Sequence, residues 1–333
     1  MSARRPRVWV SQPLFPDLVD RLGRHVEVRA TPAVRKHAPA DIAAALRDAE
    51  GALVTLNDTI GAAEIRGASR LRVVANVGVG YDNLDIAALT QAGIVATNTP
   101  DVLTETTADF GFALMMAAAR RITEAERFLR DGHWQGWQFG ALLGGDVHGR
   151  TLGILGMGRI GQAIARRARG FDMRVLYHNR NRLDPVVETP LQAQWVDRDT
   201  LFAEADHLLL VLPYAADSHH LVDAATLALM KPSATLTSIA RGGLIDEGAL
   251  AEALASGRLA AAALDVFEGE PRVDPRLLAL HNVVLTPHIA SGSLATRRAM
   301  VALAVDNLLA VLGHGPHANR PPSPIAAAPA IFR

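Results

Sequence analysis

Apolar residues along this chain come in short runs separated by amphipathic stretches, in the rhythm of alternating strands and helices. Arg7-Val8-Trp9-Val10 reads as a strand, and Leu14 to Leu22 as a helix opening near Pro16 and closing at Gly23. Val26-Glu27-Val28 reads as a strand, Ala40 to Arg47 as a helix, and Gly51 to Thr55, Leu71 to Asn76 and Ile94 to Asn98 as strands. Such alternation predicts a parallel sheet with helices on its faces. Thr99-Pro100-Asp101 interrupts it, and Val102 through Arg130 reads as one long, mostly apolar helical stretch suited to bridging two domains or covering an oligomer interface. Asp131 to His148 is rich in Gly and carries Trp134, Trp137 and Phe139, which predicts a loop pinned by aromatic anchors.

From Thr151 the alternation resumes. A run from Leu152 to Leu155 breaks into Gly156-Met157-Gly158-Arg159-Ile160-Gly161, a helically spaced set follows (Ile160, Ile164, Ala165, Ala168), and Met173 to Tyr177 reads as the next strand. Further strands are predicted at His207 to Leu212, Ala234 to Ile239, Ala260 to Val266 and Asn282 to Thr286, and a helix at Ala224 to Met230. A final helix is expected from after Ser291 to about Leu312, then a Pro- and Ala-rich tail, Pro316 to Ala330, with no predicted structure. The fold class is therefore α/β, in two unequal halves.

The glycine triplet has a physical reading. Gly156 permits a tight strand-to-helix turn, Gly158 lets the backbone approach a pyrophosphate, and Gly161 lets the helix pack closely on the strand. The phosphates then lie on the free N–H groups and the positive dipole end of the helix. Set inside a βαβ unit, the triplet predicts dinucleotide binding.

Bulk composition narrows the class. A chain of 333 residues has room for two domains, 49% of its residues are hydrophobic and 20% charged. No apolar run reaches the ~18 residues of a membrane span, and the basic N-terminus leads into a strand rather than a signal peptide, so no export is expected. Lys plus Arg equals Asp plus Glu at 34 each, giving no global field for nucleic acid or an anionic membrane. With no Cys, disulfides, thiolate nucleophiles and cysteine metal sites are all excluded, which fits a reducing cytoplasm. No metal site is expected.

Ligands of open α/β sheets bind beyond the carboxyl ends of the strands. Arg241 follows one predicted strand, Glu270 a second and His288 a third. A hydride delivered to a carbonyl carbon leaves negative charge on oxygen, which needs a proton donor and a cationic partner. His288 suits the donor role because imidazole titrates near neutrality, and an adjacent Glu270 would raise its pKa and hold the ring. Arg241 offers a planar fork for a carboxylate or carbonyl oxygen. Taken singly, each has a plain reading, as a turn residue, a post-strand charge or one acid among several; their shared placement at strand ends of one nucleotide domain favours the chemical one.

Val79 to Asp85, Thr104 to Asp109, the Gly156 motif, Ile239-Ala240-Arg241-Gly242-Gly243, Leu264 to Pro271 and Leu285-Thr286-Pro287-His288-Ile289 together resemble the D-isomer-specific 2-hydroxyacid dehydrogenase family, in family order from about Gly51 to Gly313. The resemblance implies a Rossmann cofactor domain inserted into a flavodoxin-like substrate domain, both doubly wound parallel sheets: residues 1–101 and 289–333 for the substrate domain with the tail, 102–288 for the NAD(P)-binding domain. It also implies a homodimer and a small 2-keto acid or 2-hydroxy acid as substrate. Arg241, Glu270 and His288 match the catalytic Arg, Glu and His. Val77 and Gly78 match a loop whose backbone amides hold the substrate carboxylate, with Leu56 beside them. Asp265 matches an acid near the nicotinamide ring, and cofactor contacts are implied at Thr107, Arg159, Ile160, Asn179, Leu212, Pro213, Ala240 and His288. Glu rather than Gln at position 270 argues against the formate dehydrogenase branch, and Ser238 stands where the family often has Asn.

Within the family, Gly136-Trp137, Asn98 to Leu103 and His288 to Ser293 are most similar to glyoxylate/hydroxypyruvate reductases and their 2-ketogluconate reductase neighbours. A nucleotide-sensing corepressor shares the fold but works through partner-binding extensions for which this chain has no room. The cofactor preference is read from the residues. An NAD enzyme carries an acid ~20 residues beyond the glycines, at the end of the second strand. Here that strand ends in Tyr177-His178-Asn179-Arg180-Asn181-Arg182, with no acid until Asp184. Arg180 could grip a 2′-phosphate and Arg182 could add charge, which predicts NADP(H) over NAD(H), with dual use possible.

Overall fold

The computed structural model describes residues 4–325. The chain divides into two compact units, Met1–Leu103 with Ser293–Arg333, and Thr104–Gly292. Each is an α/β unit built on an all-parallel sheet.

In the first unit the strands are β1 (Arg7–Val10), β2 (Glu27–Ala30), β3 (Gly51–Val54), β4 (Val73–Asn76) and β5 (Val95–Thr97), in the order β2-β1-β3-β4-β5. The order reverses between β1 and β3, as in a flavodoxin-like sheet. β3, β4 and β5 are buried along their length, which explains their continuous apolar runs. One face packs Trp9, Ala52, Val54 and Val74 against the helix Pro39–Leu46 and its neighbours; the helix Leu294–Val311 packs on β3, β4 and β5. The chain's last segment therefore completes the core of its first. The tail was expected to be structureless, but its described part adds to the sheet: Pro324 forms an antiparallel bridge with Thr97 and the Ile325 N–H donates to Ala96 O at 2.9 Å. Ser323 and Asn307 hold it there through Asn98 O. The rest of the expected tail lies outside the described residues.

The second unit holds β6 (Thr151–Leu155), β7 (Arg174–His178), β8 (Ala193–Trp195), β9 (His207–Leu210), β10 (Thr235–Ser238), β11 (Ala261–Leu264) and β12 (Val283–Leu285), in the order β12-β11-β10-β9-β6-β7-β8. This is the doubly wound Rossmann arrangement, with its reversal between β6 and β9. Alternate residues feed two cores. β9 sends Leu208 and Leu210 to one and Leu209 to the other.

Two expectations for this unit are corrected. The stretch from Val102 to Arg130 is two helices, Thr104–Ala119 and Ile122–Arg130. Arg121 between them takes a left-handed backbone, φ 54°, and its guanidinium forks onto Glu124 at 2.7 Å, so the break is held by an ion pair that helical periodicity does not register. The aromatics of the following loop do not pin it to this chain: Trp134, Trp137 and Phe139 are 60%, 81% and 85% exposed. Among the described residues no helix is long and apolar enough to cross a membrane.

Candidate active site

β10, β11 and β12 are neighbours, paired in parallel with Ser238 opposite Leu264 and Leu264 opposite Leu285. Their carboxyl ends therefore lie side by side, and the three segments beyond them carry Arg241, Glu270 and His288. The His288 ring Nδ1 lies 2.9 Å from Glu270 Oε2, which leaves Nε2 as the outward nitrogen. The other carboxylate oxygen, Oε1, accepts the Phe267 N–H at 3.0 Å. Burial alone would raise the pKa of Glu270, but the His288 bond and charge, the Phe267 amide and the Arg241 charge together hold it below the usual carboxylate range. Glu270 is thus kept ionised against the imidazole. Arg241 is half-buried and donates Nη1–H to Ala240 O at 2.8 Å. The next residue must be glycine: a Cβ on Gly242 would lie 1.8 Å from the carbonyl carbon of Phe267, so the Arg241 turn is pressed against the turn leading to Glu270.

The turn that carries His288 is wound around Asp265. This carboxylate is fully buried; Oδ1 accepts the Ile289 N–H at 2.8 Å and the Thr286 hydroxyl at 2.7 Å, and Oδ2 accepts the Ala290 N–H at 2.8 Å. The His288 N–H donates to Asp265 O at 2.8 Å, and His288 sits at φ 52°, a left-handed conformation costly for a non-glycine residue. Asp265 therefore acts on the imidazole by shaping its turn. A contact 21 to 25 residues away along the chain leaves no local signal, so sequence reasoning assigned Asp265 only to the nicotinamide.

The glycine cradle lies at the switch point. Gly156 has φ 105°, and a Cβ there would meet the Leu212 amide nitrogen at 2.8 Å, where β6 and β9 part. A Cβ on Gly161 would meet Gly156 O at 2.4 Å, whereas nothing lies within 4 Å of one on Gly158, the N-cap of the helix Arg159–Ala168. Space is open only where the pyrophosphate is expected. In the same unit, the buried hydroxyls of Thr107 and Ser238 have no hydrogen-bond partner among the described residues. Arg159 and Ile160 open the helix, Leu212 and Pro213 follow β9, and Ala240 is buried beyond β10.

At the end of β7 the expected residues separate. Asn179 is tied to the cradle, its Oδ1 accepting the Met157 N–H at 2.7 Å. Arg182 forks onto buried Glu188 at 2.7 and 2.8 Å, and Glu188 also accepts the Tyr177 hydroxyl at 2.8 Å. The Arg182 bond leads the effects that hold Glu188 below the usual carboxylate range. The charge of Arg182 is thus compensated within this unit. Arg180 is exposed and makes no hydrogen bond or ion pair among the described residues. Asp184 caps the helix Pro185–Leu191, accepting the Val186 N–H at 2.8 Å.

In the first unit, Leu56 is half-buried after β3, and Val77 and Gly78 follow β4. The Val77 N–H donates to Val54 O at 2.8 Å, continuing the ladder, so it is committed to the sheet and not to a ligand. The carbonyls of Gly78, Val79 and Gly80 accept from Thr99 N–H, Asn98 Nδ2 and Asn76 Nδ2, while the amides of these three residues donate to nothing among the described residues. Gly78 to Gly80 thus leave three backbone N–H groups without an acceptor among the described residues.

An ionised carboxylate clamping one nitrogen of an imidazole, beside a dinucleotide cradle, equips the second unit for proton transfer coupled to redox chemistry, which is the work of a dehydrogenase. Comparison with known proteins makes the class definite. The profile of the family described as D-isomer specific 2-hydroxyacid dehydrogenase, NAD binding domain, matches residues 112–290. A glyoxylate reductase of Thermococcus gammatolerans is 42% identical over 310 residues, 92% of this chain and 92% of its own length. One from Pyrococcus horikoshii is 48% identical over 264 residues, 78% of this chain and 79% of its own length. The crystal structure of an NADPH-dependent glyoxylate/hydroxypyruvate reductase from Sinorhizobium meliloti, in complex with NADP and malonate, superposes with a TM-score of 0.85 at 36% identity, covering 98% of each chain. The chain belongs to the D-isomer specific 2-hydroxyacid dehydrogenase family and is an NAD(P)-dependent dehydrogenase.

Proposed function

We propose that this chain reduces small 2-keto acids, glyoxylate and hydroxypyruvate, to D-2-hydroxy acids, prefers NADPH, and works as a homodimer. The observation that carries the chemistry is the 2.9 Å contact between His288 Nδ1 and Glu270 Oε2. The reduced nicotinamide, when bound, supplies the hydride. His288 gives its Nε2 proton to the developing alkoxide, and Glu270 orients the ring and stabilises its cationic form. Arg241 holds the substrate's carboxylate or carbonyl oxygen. The relatives' names support the substrate class.

The unpaired Arg180, with no acid at the end of β7, supports a 2′-phosphate site. Ile122, Leu129, Trp134, Trp137 and Phe139 are large apolar side chains left exposed, which supports their being covered by a second copy. The experiment is a panel of 2-keto acids, including glyoxylate, hydroxypyruvate and 2-ketogluconate, assayed with NADPH and NADH on the wild type and Arg180→Ala. Turnover of glyoxylate or hydroxypyruvate with a higher kcat/KM for NADPH, lost on Arg180→Ala, is expected. Cofactor binding without turnover of any keto acid would point to a sensor, and an NADH preference would refute the cofactor assignment. Light scattering on the same preparation measures the dimer.

A further inference from the structure

We propose that His219, His220 and Glu268 form a binding site for a divalent d-block cation of the zinc class, outside the His288 centre. The His220 ring Nε2 lies 2.8 Å from Glu268 Oε2, and His219 Nε2 lies 3.9 Å from Glu268 Oε1. One ligand atom from each of the three residues falls within 4.8 Å of the other two. Ligands about 2.0–2.2 Å from a zinc ion are at most roughly 4.2 Å apart, so the set closes on an ion by small rotations of exposed side chains. Two imidazoles and one carboxylate suit zinc and its d-block neighbours, whereas magnesium and calcium take oxygen ligands. Further coordination positions remain for water or a ligand.

The backbone builds this cluster. Side chains of consecutive residues ordinarily diverge, but His220 takes a left-handed conformation, φ 50°, and the two rings stack with centroids 3.9 Å apart and planes at 22°. Holding a non-glycine residue there is unfavourable, and the surroundings must offset it. They do so through the His220 N–H, which donates to Gly243 O at 2.9 Å, and the Val222 N–H, which donates to Leu244 O at 2.9 Å. An outer partner is also present. Tyr214 Oη lies 3.3 Å from His219 Nδ1, which fixes that ring and turns Nε2 toward Glu268, as second partners of metal-bound histidines do. Across the cluster, the Glu268 N–H donates to Glu247 Oε1 at 2.6 Å, so both sides of the site are anchored. An ion held there would tie the segment after β9 to the turn that carries Glu270.

The test uses the full chain without a polyhistidine tag. Zinc is titrated against a competing chromophoric chelator, cobalt(II) is used for its d–d spectrum, and the melting temperature is followed with zinc. The variants are His219→Ala, Glu268→Gln and His220→Asn, the last chosen because Asn tolerates the left-handed backbone. One ion per chain, a cobalt spectrum of low coordination number and a zinc-dependent rise in melting temperature are expected for the wild type. Each ligand variant should weaken binding at least tenfold, and Tyr214→Phe about tenfold. Absence of binding by the wild type at micromolar zinc, or equal affinity in all three ligand variants, would overturn the proposal.

Discussion

Asp265→Asn tests the idea that one buried carboxylate shapes the catalytic turn. Asp265 is fully buried, and its two oxygens accept three hydrogen bonds from Thr286, Ile289 and Ala290. A carboxamide keeps one acceptor oxygen, so its NH₂ must face either the Ala290 N–H or the Ile289 N–H and Thr286 hydroxyl together. At least one bond to a charged acceptor is lost, about 1.5–3 kcal/mol, and a donor then meets a donor. That loss is comparable with the ~1–3 kcal/mol required to hold His288 at its left-handed φ, so the turn is expected to relax and withdraw the ring from Glu270. If the whole loss appears in the transition state, kcat falls by about 10- to 160-fold, since 1.36 kcal/mol is a factor of ten. The assay is steady-state reduction of glyoxylate across pH, with cofactor Kd from fluorescence and Tm from the same samples. The expected result is reduced kcat, an altered pH profile of kcat/KM and a cofactor Kd close to wild type. A lower Tm with kcat and pH profile unchanged would refute the positioning role and leave Asp265 as a stabilising residue only.

Other outcomes follow from the same geometry. His288→Asn, which tolerates the left-handed backbone, should retain cofactor binding and lose ~10²- to 10⁴-fold in turnover, the usual contribution of a general acid; unchanged turnover would remove His288 from the mechanism. Arg241→Ala should raise KM and lower kcat together, and a variant with both near wild type would require another anchor. Arg182→Ala should lower stability only modestly, because its side chain is 63% exposed, while leaving the NADPH-to-NADH ratio unchanged, as measured by denaturation and kinetics. Desolvation holds the pKa of buried His207 below the ordinary imidazole value of 6.5, so the unfolded chain takes up the proton before the folded one. Its contribution to stability is present above about pH 6.5 and is lost as pH falls through the folded value; the melting temperature of the wild type should therefore start to drop in that window, and His207→Gln should flatten the drop.

What the sequence disclosed about the site follows from how far apart the determinants lie. The cradle was legible because its determinants are adjacent: three glycines within six residues, each answering a local steric demand that the structure bears out at Gly156 and Gly161. Arg241, Glu270 and His288 were legible for a different reason. They lie beyond three strands, and parallel pairing of β10, β11 and β12 lines up strand ends whatever the intervening helices do. Arg180 and Arg182 looked alike in sequence, because charge alone does not say whether a neighbour will claim it. Glu188 does so from a short helix that carries Pro190 and has weak helical periodicity, and that helix was not predicted.

The remaining misses share one cause: a backbone conformation, or a contact, that no period of 2 or 3.6 encodes. Arg121 and His220 both take left-handed conformations without being glycine, one splitting a helix and the other stacking two imidazoles. In each case the conformation is stabilised by partners distant in sequence: Leu143 O accepts from the Arg121 guanidinium, and Gly243 O accepts from the His220 amide. The same holds for the tail, where Asn307 and Asn98 hold Ser323 so that Pro324 and Ile325 cover the edge of β5. A Pro- and Ala-rich segment has little intrinsic tendency to order, but an open strand edge offers it unpaired backbone groups, and the Asn307 side chain together with the Asn98 backbone sets the register. Order there depends on the edge it meets, so composition read along the chain could not reveal it.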